Sequence, residues 1–342
     1  MLRSSSVKVV LFGFGYWGPN LARVISRSEH LSLSCIVDVS EERRSQARKL
    51  FPGTLTVGSL SDEVLAGVEI VAIATPPATH EALSSRALEA GKHVFVEKPF
   101  TLSSADASRL LDLARRKQRL VHVDFTYLYT PEIAYIKSLV QTGALGSINY
   151  VDSVRINLGL FQQEANVVWD LAVHDFAIVE YLFNDRITSV QAQGVKHTEL
   201  NVLSAAFIVL RYASGLIVNL HESWMSPTKV RRFSLLGSRQ TVIFDDSEAD
   251  LKIKIYDSAV NVAVNPELMA QLLVSYRLGD VHIPRLPRWE ALEKEWSMFV
   301  AKIQDKPRSE DPAVDPIRVL KIAEAVNQSI EAGGSVVEIS LD

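Results

Sequence analysis

The six residues Gly13-Phe14-Gly15-Tyr16-Trp17-Gly18 constrain this chain more than any others. They follow residues 7–12, a β-branched apolar run that reads as a buried parallel strand. They precede residues 20–27, which read as a helix. Gly13 permits a tight turn, Gly15 lets backbone N–H groups approach a pyrophosphate, and Gly18 lets the helix pack close to the strand. The helix N-terminus then faces the phosphates. Phe14 lies within the same turn, Tyr16 borders the phosphate, and Trp17 either does so or simply packs. The glycine pattern alone is weak, and the strand–turn–helix around it makes it a dinucleotide-binding loop.

Strand and helix alternate through the first third of the chain. Strands are expected at residues 31–37, 69–74, 93–96 and 120–123, with helices at 41–50, 79–90 and 103–116. Pro76 and Pro77 stop one strand and Gly91 ends one helix. Such alternation predicts a doubly wound parallel sheet with helices on both faces, a Rossmann domain over residues 1–124. The pattern then changes. A helix at 131–142 ends at Gly143, and strand-like runs follow at 148–157, 189–194, 205–212, 216–223, 231–236 and 241–244. Residues 125–342 thus read as an α+β domain built on a mostly antiparallel sheet, closed by helices at 289–304 and 316–332. Residues 260–287 show no clear period and read as a loop over the site.

A length of 342 residues suits two domains, and a net charge of −4 gives no reason to expect a nucleic-acid partner. Arg115, Arg116 and Lys117 fall at a helix end, where positive charge suits the dipole. The lone Cys35 lies in an apolar run, so no disulfide framework exists and a reducing compartment fits. No apolar run approaches the ~20 residues needed to cross a bilayer, and the N-terminus lacks a signal layout. A soluble cytoplasmic protein is expected.

Asp38 closes the second strand, about twenty residues beyond the glycines. A carboxylate there accepts hydrogen bonds from the adenosine ribose and repels a 2′-phosphate, which favours NAD over NADP; a turn or capping role is the other reading. Arg43 and Arg44 are expected on a solvated helix face. Glu97-Lys98-Pro99 ends a later strand of the same fold, which places a lysine where a nicotinamide would lie. The two motifs together suggest hydride transfer.

The stretch Thr75-Pro-Pro-Ala-Thr-His80, then Ala-Leu-Glu-Ala-Gly-Lys-His-Val, then Glu97-Lys98-Pro99 resembles the Gfo/Idh/MocA family of oxidoreductases. Later segments fit it too, including residues 142–148, 154–162, 166–175 and 224–245. The resemblance implies a sugar, nucleotide-sugar or cyclitol substrate, a bound nicotinamide cofactor, a large open sheet in the second domain, and pairing through that sheet into homodimers or homotetramers. It implies that Thr75, Pro76, Pro77 and His80 line the nicotinamide side, that Glu97 contacts the cofactor, and that Lys98 is catalytic. The Lys98–Pro99 bond is a candidate for the cis form.

Asp170 and His174 match the family's Asp-x-x-x-His element, and this spacing puts both on one face of a helix. Oxidising a secondary alcohol needs a base for the hydroxyl proton, and histidine, with a reference pKa of about 6.5, suits that task. His174 is the expected base, Lys98 the group that stabilises developing alkoxide charge, and Asp170 either the binder of a neighbouring hydroxyl or a group that orients the site. Alternatively Lys98 itself relays the proton. Asp175 reads as a cap or salt-bridge partner. A third metal ligand at a recognisable spacing is missing, so no metal is expected. Arg155 and Asn157 share one strand face and match a segment near the substrate cleft. Tyr127, Trp169 and Lys229 are further substrate candidates, each with packing or surface polarity as its alternative. Phe125 and Val173 depart from residues common in relatives. The expected activity is NAD-dependent oxidation of a ring hydroxyl of a sugar or nucleotide sugar. The alternatives are a cyclitol dehydrogenase, a 3-keto-sugar reductase and a non-catalytic dinucleotide-binding regulator.

Overall fold

Val9, Val10 and Leu11 are fully buried in the first strand, so this run of β-branched and apolar residues has a core on both faces. The computed structural model describes residues 6–159, 161, 165–197, 199, 201–264, 272–306, 311, 312 and 314–341. Residues 1–5 of the polar N-terminus, residues 160 and 162 of the family-like segment, and 265–271 of the expected loop lie outside them. The chain divides into two units, Met1–Tyr129 with Trp289–Leu320, and Thr130–Arg288 with Lys321–Asp342. A linear division after residue 124 does not contain the return of Trp289–Leu320 to the first unit.

The first unit runs β1 (Val7–Phe12), α1 (Gly18–Arg27), β2 (Leu31–Val37), α2 (Glu41–Leu50), β3 (Leu55–Val57), α3 (Asp62–Ala66), β4 (Ile70–Ile73), α4 (His80–Glu89), β5 (His93–Glu97), α5 (Ser104–Lys117) and β6 (Val121–Asp124). Its six strands are parallel in the order β3-β2-β1-β4-β5-β6. The order reverses beside β1, and that reversal opens a ligand crevice at the strands' carboxyl ends. The helices start where sequence chemistry places them. Ser40 accepts from the Arg43 N–H to cap α2, with Glu41 and Glu42 in its first turn and Arg48 and Lys49 in its last. Ser103 caps α5, which ends on Arg115, Arg116 and Lys117 as expected.

The second unit contains α6 (Pro131–Gln141), β7 (Ile148–Leu158), a π-helical turn (Val168–Ala172), α7 (Val173–Leu182), β8 (Ile187–Lys196), β9 (Leu203–Tyr212), β10 (Ile217–Ser223), β11 (Met225–Gly237), β12 (Thr241–Asp245), β13 (Ile253–Val264) and β14 (Leu272–His282). After α8 (Ala291–Ile303) and α9 (Pro316–Glu331), β15 (Val337–Glu338) completes a nine-stranded sheet in the order β14-β13-β12-β11-β7-β10-β9-β8-β15. Only β7 and β10 run parallel; the other neighbours are antiparallel. One sheet face is buried, through residues such as Val151, Ala206, Ile208, Val218 and Leu220. The expected loop at 260–287 is corrected: its described part is mostly a hairpin of β13 and β14. The apolar alternation of Ile253 and Ile255 breaks off at the polar pair Asp257-Ser258, where the pairing slips by one residue with the extra residue on β14. That polar interruption hides the period-two signal of the strand.

In the first unit α8 covers one sheet face. Phe95 stacks on Trp296 with ring centroids 4.2 Å apart, and Phe299 joins the same core. Aromatic residues of this kind cost about 3–5 kcal/mol when truncated to alanine.

Candidate active site

The glycine loop has the geometry its sequence predicts. Gly13 has φ +87°, and a methyl there would overlap the Ala74 carbonyl. A methyl on Gly18 would overlap the Gly13 carbonyl, so only glycine lets α1 approach β1 this closely. Gly15 is open by contrast: the nearest group to a methyl would be the Arg43 guanidinium at 3.5 Å. No side chain caps α1. An uncapped helix start above an open glycine suits a pyrophosphate. Tyr16 is 82% exposed. Phe14 is buried in the core, and the Trp17 indole N–H donates to Asp124 Oδ2 at 3.3 Å.

Asp38 is buried and holds this loop. Its Oδ2 accepts the Phe14 N–H at 2.7 Å and its Oδ1 accepts the Ser40 N–H at 2.8 Å. Arg43 lies on an exposed helix face as expected, its side chain 52% accessible, whereas carbonyl and carboxylate oxygens of the loop draw Arg44 back. Arg44 donates to the Asp38 and Val39 carbonyls and to Glu41. Arg43 reaches over Gly15 to 3.8 Å from Asp38 Oδ2.

At the neighbouring strand ends the Lys98–Pro99 peptide is cis. Pro76 is exposed, while Thr75 and Pro77 are half-buried. Thr75 and Thr79 share a hydroxyl–hydroxyl hydrogen bond at 2.6 Å. His80 is fully buried, with Nδ1 2.9 Å from the Pro99 carbonyl and Nε2 2.9 Å from the Thr75 carbonyl. It therefore ties the end of β4 to the turn after β5. Burial holds its pKa below the usual histidine value, opposed by those carbonyls. Glu97 is buried and Lys98 half-buried at the end of β5. Tyr127 is half-buried in the same unit.

In the second unit Asp170 lies in the π-helical turn and the half-buried His174 in the first turn of α7. The expected single α-helical face is therefore widened at Asp170, and single π turns of this kind are frequent at functional sites. Asn166 Oδ1 accepts the N–H groups of Val168 and Trp169 at 3.0 and 3.3 Å, and its amide donates to Asn327 at 2.7 Å. Asp170 Oδ2 accepts the indole N–H of the buried Trp224 at 2.9 Å. Trp169 is half-buried and Lys229 exposed.

Arg155 is 5% exposed, and its Nε and Nη2 donate to Asp175 at 2.9 and 3.1 Å. Its fork is directed to an internal carboxylate, which makes Asp175 the salt-bridge partner. Glu222 is the register partner of Arg155 on β10 and is also fully buried. Burial, and then Asp175 beside it, push its carboxyl well above the usual range. One guanidinium faces two buried carboxylates, an imbalance that favours the neutral acid at Glu222. Asn157 Oδ1, on the same strand as Arg155, is buried without a hydrogen-bond partner. Sequence reasoning missed Glu222 and Trp224. The signal was present in β10, where Val218, Leu220 and Glu222 occupy successive inward positions. Among the described residues no group of His, Cys, Asp and Glu side chains could hold a metal ion.

A parallel sheet in this order, with an open glycine loop at its reversal point and an acid closing the second strand, defines a dinucleotide-binding protein. The pattern of the oxidoreductase family with an NAD-binding Rossmann fold matches residues 7–125, and that of the GFO/IDH/MocA C-terminal domain matches residues 133–243. The chain belongs to the Gfo/Idh/MocA family of NAD-binding oxidoreductases. It is 25% identical over 225 residues to an inositol 2-dehydrogenase of Corynebacterium glutamicum, covering 64% of this chain and 67% of that one. It is 30% identical over 227 residues to the UDP-N-acetylglucosamine 3-dehydrogenase of Acidithiobacillus ferrooxidans, covering 62% and 70%. The fold is that of GenD2 from gentamicin A biosynthesis, solved with NAD, at TM-score 0.81 and 22% identity over 99% of this chain and 98% of that one. No described helix is long and apolar enough to cross a membrane.

Proposed function

We propose that this oxidoreductase oxidises a ring hydroxyl of a sugar or nucleotide sugar, with NAD as hydride acceptor. The observation that carries this reading is Lys98, presented at the carboxyl end of β5 in the unit that holds the open glycine loop. The residues present fit the cofactor: backbone N–H groups of the loop and of the start of α1 would hold the pyrophosphate, and Asp38 the adenosine ribose. Bound nicotinamide supplies the hydride acceptor. His174 takes the hydroxyl proton. Lys98 stabilises the negative charge that develops on the same oxygen. Asp170, oriented by Trp224, binds a neighbouring hydroxyl, and Asn157 offers a buried acceptor on the same unit. The relatives named for an inositol and for a UDP-sugar support this substrate range. A cyclitol dehydrogenase, or the reverse reaction on a 3-keto sugar, uses the same groups.

The outward face of the nine-stranded sheet supports self-association. Register aligns Gln193, Phe207, His221 and Val154 in one row across four strands, with Phe207 stacked on His221 at 4.5 Å and 46% exposed. We assign this face to a homodimer or homotetramer contact; Phe207→Arg should lower the sedimenting mass, and an unchanged mass would remove the assignment. The activity is tested by following NADH formation with a panel of UDP- and dTDP-sugars, free pyranoses and inositols. Turnover with one class establishes the reading. Silence across the panel by a protein that still binds NAD counts against it.

A further inference from the structure

The face of β5 and β6 beneath α8 buries four polar side chains among aromatic ones. Glu97 and Asp124 are register partners on the two strands, so their side chains leave the sheet on the same side. His122, two residues before Asp124, shares that side and stacks on Phe95 at 5.1 Å. From α8, Glu295 brings Oε1 to 2.8 Å from His122 Nε2. Glu97, Asp124 and Glu295 are 8%, 1% and 0% exposed. All of these residues belong to the first unit.

The donors in this cluster point at Asp124. Trp17 Nε1–H reaches its Oδ2 at 3.3 Å, and the Thr126 hydroxyl reaches its Oδ1. No N–H or O–H donor of another residue reaches Glu97 Oε1 or Glu295 Oε2. The facing cations are Lys98, beside Glu97 in the chain, and Lys302 near Glu295, itself paired with Asp311 at 2.5 Å. Burial, with Lys302 nearby, pushes His122 down to about 3, so its imidazole adds no charge. Burial, then Asp124, raises both glutamates well above the usual carboxylate range. Three carboxylates buried together do not all ionise. A proton on Glu97 and another on Glu295 turn both into donors, with Asp124 as their acceptor.

We propose that Asp124 is a positioning residue of the cofactor site: one carboxylate accepts from Trp17 of the glycine loop and from the carboxylic acids of Glu97 and Glu295, so that the loop and the strand end bearing Lys98 are set by a single acceptor. Its bearing on turnover rests on the role proposed for Lys98; its bearing on NAD does not.

Two readouts test this without substrate. Infrared spectra of the unaltered protein at neutral pH should show buried carboxylic-acid C=O absorption, part of which is lost in Glu97→Gln and part in Glu295→Gln. Fluorescence titration should show NAD binding weakened about tenfold in both Trp17→Phe and Asp124→Asn, the scale of one hydrogen bond to a charged group. The double variant should bind no worse than Asp124→Asn alone. Carboxylic-acid absorption left unchanged by Glu97→Gln or by Glu295→Gln overturns the proposal, as do effects of Trp17→Phe and Asp124→Asn that simply add. If Asp124→Asn does not fold, the infrared spectrum decides. A silent substrate panel leaves both readouts intact.

Discussion

The indole N–H of Trp224 donates to the Asp170 carboxylate at 2.9 Å, and Gly159 lies against the same ring where no side chain fits. The Gly159 N–H also donates to the Trp224 carbonyl at 3.0 Å. The residue that follows β7, a buried tryptophan and the π-helical turn therefore fix one carboxylate together. Trp224→Phe keeps an aromatic ring and removes the hydrogen bond. Its kcat/KM should fall about tenfold with NAD affinity unchanged. Gly159→Ala should fall at least as far, because its methyl displaces the indole. Steady-state kinetics beside NAD titration decide this; normal kcat/KM in Trp224→Phe would show that Asp170 needs no such orientation.

Lys98 and His174 are expected to act on one substrate oxygen. Lys98→Ala and His174→Ala should each lower kcat by about 10²–10⁴, the usual contribution of a positioned acid–base or charge-stabilising group. NAD should still raise the melting temperature of both. Turnover within a few-fold of the unaltered enzyme in either variant removes that residue from the mechanism.

Asp38 combines two tasks in one carboxylate, since it orders the loop through Phe14 and Ser40 and faces Arg43 at 3.8 Å. Asp38→Asn keeps an acceptor and removes the charge that repels a 2′-phosphate, leaving Arg43 to attract one. The ratio of NAD to NADP affinity should fall by about tenfold or more. Paired titrations with the two cofactors measure it, and an unchanged ratio would assign Asp38 to loop structure alone.

Much of this architecture was readable from the sequence because its signals are local. Glycines at a strand end, capping serines and the switch from helix–strand alternation to successive strands each depend on neighbours a few residues apart. What was hidden depends on packing between distant segments. The strand period places Arg155 and Asn157 on one face, but only α7 determines that Arg155 meets Asp175. The spacing of Asp170 and His174 suggests one α-helix, but the turn at Val168–Ala172 is π-helical. His80, in the motif expected to line the nicotinamide, has both ring nitrogens on backbone carbonyls. Its partner Pro99 is set only by the sheet.

The buried acids and histidines make stability depend on pH in opposite senses. Glu222 has a folded pKa raised above its unfolded value of 4.5, so its contribution is full below that pH and is lost as pH rises through the folded value. His122 is depressed from 6.5 to about 3, so the folded state loses stability as pH falls from about 6.5 towards 3, where the unfolded chain takes up the proton first. Glu222→Gln retains the shape of the neutral acid and a donor towards Asp175, and it cannot ionise. The melting temperature of the unaltered protein should therefore decline on the alkaline side more steeply than that of Glu222→Gln. Below about 4.5 the two should run parallel, because Glu222 is then protonated in the folded and the unfolded chain alike and His122 is present in both. Parallel curves on the alkaline side as well would mean that Glu222 is already ionised in the folded protein, with Arg155 serving both carboxylates.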